Sequence, residues 1–110
     1  MKVLVIDDER VFPFEATYAR SSAEAIDNLS DEQEWDEVWF DHDLGLGDDA
    51  MMIVKWMGLQ HITGVRWSDR IRRAYVHSMN PVGATNIRSR IKDFGIPTYR
   101  VGLPPGSSVI

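Results

Sequence analysis

Five short apolar runs recur along the chain, each closed by polar or turn-forming residues. Lys2-Val3-Leu4-Val5-Ile6 is β-branched and apolar almost throughout, the pattern of a strand buried on both faces. Residues 16–19, 37–40, 71–76 and 97–101 give four further strand patterns. Helical periodicity appears three times between them. Ser21 followed by Glu24 has the form of a capping box, with Ala23, Ile26 and Leu29 as the expected buried stripe. Asp48 or Asp49 is placed to cap a second helix, in which Met52, Ile53, Trp56 and Met57 read as core. Asn80-Pro81 joins a cap to a first-turn proline. Val82, Ile87, Ile91 and Phe94 mark that helix's apolar face, and Gly95 stops it. Residues 58–70 show no clear period and are read as irregular.

Strands alternating with helices predict an α/β fold: a parallel five-stranded sheet with helices on both faces. The connection from the first strand to the second is too short for a helical crossover, so the first helix is shortened or lost. Phe12 and Phe14 fall in this connection and are expected to pack over it. One domain, residues 1–102, is followed by a tail at 103–110 whose prolines, glycine and serines predict flexibility.

Composition narrows the class. With 110 residues, 44% hydrophobic and 26% charged, the chain reads as one globular domain. It contains no cysteine, so disulfide and thiolate chemistry are excluded. No apolar run approaches the ~20 residues of a membrane span, and no signal peptide is expected. A cytoplasmic protein without membrane attachment is the resulting expectation. The formal net charge of −5 argues against broad DNA or RNA binding. A homodimer is compatible with such a chain, but no helix face is diagnostic of one.

The candidate chemistry sits where three strands end. Asp7, Asp8 and Glu9 come after the first, Asp41, His42 and Asp43 after the third, and His77, Ser78 and Asn80 after the fourth. In a parallel sheet these ends share one edge, the edge at which open α/β sheets bind ligands. Converging carboxylates repel one another and call for a cation. Asp7, Asp8, Asp41 and Asp43 are hard oxygen ligands suited to a divalent metal, Mg²⁺ or Mn²⁺ above all. Asn80 and Gly83 open a helix whose amides can face an anion. Ser78 and Arg100 are further candidate contacts to phosphate. A cation beside an anion-binding helix end describes a pocket for a phosphate-containing small molecule or RNA end.

The runs Val3-Leu4-Val5-Ile6-Asp7-Asp8-Glu9 and Asp36 to Leu44 resemble a response-regulator receiver domain, with Asp41 at the phosphoacceptor position and Ser78 at the phosphate-contacting hydroxyl. The expected lysine near the last strand is missing, and Arg100 is the nearest basic residue. Three motifs together narrow the match: Asp7-Asp8-Glu9-Arg10, Asp41-His42-Asp43-Leu44-Gly45 and His77-Ser78-Met79-Asn80-Pro81-Val82-Gly83. They resemble the cyclic-phosphate-processing receiver domains, a receiver-derived family of bacteria and phages. The resemblance implies a flavodoxin/receiver-like fold and a metal-dependent phosphoesterase acting on a 2′,3′-cyclic RNA end or a cyclic nucleotide. Asp41, His42 and His77 would then be catalytic, the histidines as base and acid. Two alternatives stay open. One is a signalling module phosphorylated on Asp41; the other is a non-catalytic module, such as a phage protein, that binds a nucleotide or a host protein.

Overall fold

The computed structural model describes residues 1–110. In chain order the elements are β1 (Val3–Ile6), β2 (Arg10–Val11), β3 (Thr17–Ala19), α1 (Ser22–Ser30), β4 (Trp35–Phe40), α2 (Met51–Ile62), a 3₁₀ turn (Trp67–Asp69), β5 (Ile71–Val76), α3 (Pro81–Asp93), β6 (Thr98–Arg100) and β7 (Ser108–Val109). Five strands form a parallel sheet in the order β3-β1-β4-β5-β6. This is the receiver-like α/β architecture expected from the sequence. All four β1 residues are buried, as a central strand covered on both faces requires. The strand order reverses between β1 and β4, which opens a crevice at their C-terminal ends.

Helices were expected on both faces of the sheet; all three pack on one. Leu4, Ile6, Val38, Phe40, Ala74 and Val76 share a single core with Ala25 and Leu29 of α1, Ile53 and Met57 of α2, and Ile87 and Ile91 of α3. The opposite face carries Val3, Val5 and Trp39, with Tyr18 and Tyr75 beside them in the sheet and Phe12, Val101 and Leu103 packed against the cluster, and no helical residue is among them. Phe12 occupies the room left by the missing first helix. It is buried and meets Trp39 edge-on at 5.2 Å between centroids. Phe14 leans on it at 5.5 Å but stays over a third exposed.

Several local expectations shift. The stripe of α1 is Ser22, Ala25 and Leu29, so Ala23 faces solvent. Met52 and Val82 are exposed rather than core. The second helix runs on to Ile62, and buried Trp67 anchors the 3₁₀ turn beneath it by donating its indole N–H to the Met57 carbonyl at 2.9 Å. The C-terminal segment contains a strand. Ser108–Val109 pairs antiparallel with Arg10–Val11, and the Ile110 amide donates to the Glu9 carbonyl at 2.9 Å.

The expected caps form at Ser21, whose Oγ accepts the Glu24 amide, and at Asn80, whose Oδ1 accepts the Gly83 amide. Asp49 accepts the Met51 amide at the start of α2. Asp48 instead crosses to α1 and accepts the Ser22 amide at 2.8 Å, tying the β4–α2 loop to a neighbouring helix. No helix is long and apolar enough to cross a membrane.

Candidate active site

Sheet register sets the site. Ile6 pairs with Phe40, and Phe40 with Val76. One residue further on, the Asp41 amide donates to the Ile6 carbonyl and the His77 amide to the Phe40 carbonyl, each at 3.0 Å. Asp7, Asp41 and His77 therefore stand in one row across three adjacent strands. Ile6, Phe40 and Val76 point toward the helices, so the two-residue alternation turns this row toward the helix-free face.

His77 Nε2 lies 2.9 Å from Asp7 Oδ2, and both side chains are almost completely buried. Asp7 Oδ1 accepts the amides of Glu9 and Arg10 at 3.0 and 2.9 Å. Burial alone would raise the Asp7 pKa, but these bonds, that from His77 first, hold it below the ordinary carboxylate value. Asp41 has fewer compensations. Burial first, with the Asp7 charge beside it, pushes its carboxyl up to about 6 against the opposing effect of His77. His77 Nδ1 is buried with no hydrogen-bond partner, close to Phe12, whose ring meets the imidazole edge-on at 5.4 Å.

Asp7, Asp41 and His77 each present a ligand atom within 4.8 Å of the others. Above them opens a cavity of about 310 Å³ lined by Asp8, Glu9, Arg10, Asp41, Asp43 and His77, with Gly45 and Met79. Gly45, at φ 103°, takes a backbone conformation that favours glycine and brings the loop alongside Asp8, whose Oδ2 would lie in ordinary contact with a Cβ there at 3.6 Å. Asp8 and Asp43 thus stand on the chamber wall, outside the close Asp7–Asp41–His77 cluster.

The remaining predicted residues lie apart from this chamber. His42 does not line it. Its Nδ1 lies 3.1 Å from Asp43 Oδ1, and its ring packs on Gly83 so closely that a Cβ there would sit 2.5 Å from ring carbons. The Gly83 amide, expected to be free for an anion, is taken by Asn80 Oδ1, and the Ala84 amide by the Asn80 carbonyl. Ser78 Oγ accepts the Asn80 amide at 3.0 Å. Ser78 and Arg100 line a second cavity of about 430 Å³ that shares His77 and Met79 with the first. Arg10 belongs to the first of the three motifs without a role that the sequence assigns; the structure places it in the acidic chamber. Its signal was its position three residues after Asp7, inside a turn that the Asp7 carboxylate closes.

The family model for the cyclic-phosphate processing receiver domain matches residues 1–93. The chain belongs to this family. No curated protein matches it.

Proposed function

We propose that this cyclic-phosphate processing receiver domain is a metal-dependent phosphoesterase that opens a cyclic phosphate, either a 2′,3′-cyclic RNA end or a cyclic nucleotide. The observation that carries the reading is Asp41. Its carboxyl faces an acid-lined chamber and clusters with the buried Asp7–His77 pair, burial and the Asp7 charge making its own charge costly. A carboxylate whose charge is so poorly offset gains most from a cation at its side.

Hydrolysis adds water across one ring P–O bond: hydroxyl goes to phosphorus, and the released sugar oxygen takes up a proton. Asp43, on the chamber wall outside the Asp7–Asp41–His77 cluster, receives the proton of the attacking water. His77, with Nε2 bound to Asp7, holds that carboxylate in place rather than acting as a free acid. His42 works through Asp43, which it holds at the chamber wall. The Ser78 oxygen is engaged as an acceptor, which leaves its proton for a phosphate oxygen in the adjoining cavity, beside Arg100.

The donor set fits a divalent cation: two carboxylates and an imidazole cluster within 4.8 Å, and Asp8 stands beside them. Asp7, Asp8 and Asp41 would hold it. When bound, the ion would polarise the phosphoryl group and offset the charge of the carboxylates.

The test is turnover of cyclic mononucleotides, cyclic dinucleotides and cyclic-ended RNA by purified protein with Mg²⁺ or Mn²⁺. Hydrolysis of at least one, lost in Asp41→Asn, is expected; no turnover across the panel would sink the reading. Acetyl phosphate with Mg²⁺ should leave the intact mass unchanged. A stable gain of one phosphate would favour the signalling alternative instead.

A further inference from the structure

Arg10 is the one arginine or lysine on the wall of the acidic chamber, which it shares with Asp8, Glu9, Asp41 and Asp43. We infer that Arg10 is the cation that grips phosphate oxygens there. This rests on the phosphoesterase reading and adds a ligand-binding residue to it.

The backbone of Arg10 is fixed from every side. Its amide donates to Asp7 Oδ1 at 2.9 Å, and its carbonyl accepts from Arg20 Nη1. The same Arg20 nitrogen reaches the Asp7 carbonyl at 3.2 Å, so one guanidinium staples both ends of the turn. Tyr18 stacks under Arg20, 4.4 Å from ring centroid to guanidinium carbon. On the other flank Arg10 pairs with Val109 of β7.

The side chain, by contrast, is nearly uncommitted. Its one carboxylate neighbour within 4.0 Å is Glu9, at that limit and itself half exposed. A guanidinium on a fixed backbone and without a close partner suits bidentate capture of phosphate, because its planar fork matches two phosphate oxygens and no strong ion pair has to break first. The surrounding carboxylates would repel a bare anion, so the arginine and a divalent cation would act together. Arg20, whose guanidinium hydrogen-bonds to the Asp7 and Arg10 carbonyls while resting on Tyr18, is the positioning residue.

The experiment is titration of the intact chain with inorganic phosphate in the presence of Mg²⁺, by calorimetry, alongside Arg10→Gln and Arg10→Lys. Both variants keep the backbone bonds, and their melting midpoints report whether the fold is retained. Phosphate affinity should fall about tenfold or more in Arg10→Gln. It should fall only about threefold in Arg10→Lys, which keeps the charge but loses the fork. Equal affinities for wild type and Arg10→Gln, or no phosphate binding by the wild type, would overturn the inference. Loss of phosphate binding in Arg10→Gln with no hydrolysis of any cyclic phosphate would leave Arg10 standing and remove the phosphoesterase.

Discussion

His77 and Asp7 are joined by a 2.9 Å contact between strands that are not neighbours, spanning the end of β4 where Asp41 sits. Removing the imidazole would leave Asp7 fully buried, with one oxygen still held by two amides and the other without a partner. His77→Ala is therefore expected to cost about 3 kcal/mol, as for other broken buried pairs. His77→Gln, which can return an N–H donor, should recover part of that. Urea unfolding at pH 7 measures both. A loss under about 1 kcal/mol in His77→Ala would mean that water replaces the bond at little cost.

Asp7 and Asp41 give opposite pH dependences. Asp7 is depressed, so its stabilisation is present above the ordinary value of 3.8 and disappears as pH falls through its lower folded value. Asp41 is raised, so its contribution is complete below 3.8, is lost as pH climbs to about 6, and changes no further above that. Asp41→Asn removes the second of these dependences. The variant should equal or fall below the wild type near pH 4 and exceed it by about 1–2 kcal/mol at pH 7.5 in metal-free buffer. Urea midpoints at the two pH values decide this; an asparagine variant less stable than wild type at pH 7.5 would contradict the placement of Asp41 beside Asp7.

The same strain predicts the response to metal. A divalent ion would relieve the repulsion between Asp41 and Asp7, and binding to the folded state alone adds about 2.7 kcal/mol when the ion is at a hundred times its Kd. Mg²⁺ or Mn²⁺ should raise the melting midpoint by several degrees. The rise should vanish in Asp41→Asn and persist in His42→Ala, whose ring stands outside the chamber. An equal rise in all three proteins would locate the metal elsewhere.

The row Asp7, Asp41 and His77 was legible because a parallel sheet aligns strand ends and each strand ends one residue before its polar group. The alternation of strands and helices and the caps at Ser21 and Asn80 came from local patterns of the same kind. What escaped was set by packing across the sheet. The sequence places Phe12 over the shortened connection, but no local pattern shows that it and the segment from Val101 to Leu103 pack on Val3, Val5 and Trp39 in place of helices. The pairing of Ser108–Val109 with Arg10–Val11 links segments about a hundred residues apart, beyond any short-range pattern. Histidines read as a catalytic couple proved to have separate partners, because His42 turns to Gly83 and Asp43 while His77 turns to Asp7.

Gly83 is the position where that difference can be tested by a single methyl group. A Cβ there would meet His42 Cγ and Cδ2 at 2.5 Å, near the base of a ring that cannot swing aside without leaving Asp43. Helix propensity alone would favour alanine over glycine by about 1 kcal/mol within a helix. The steric conflict should reverse the sign and make Gly83→Ala destabilising by about 1–3 kcal/mol. Deleting the ring removes the conflict, so Gly83→Ala should be nearly neutral or stabilising in a His42→Ala background. The double-mutant cycle should thus show a coupling of at least about 1 kcal/mol between the two residues. Additive effects would mean that the imidazole does not rest on α3.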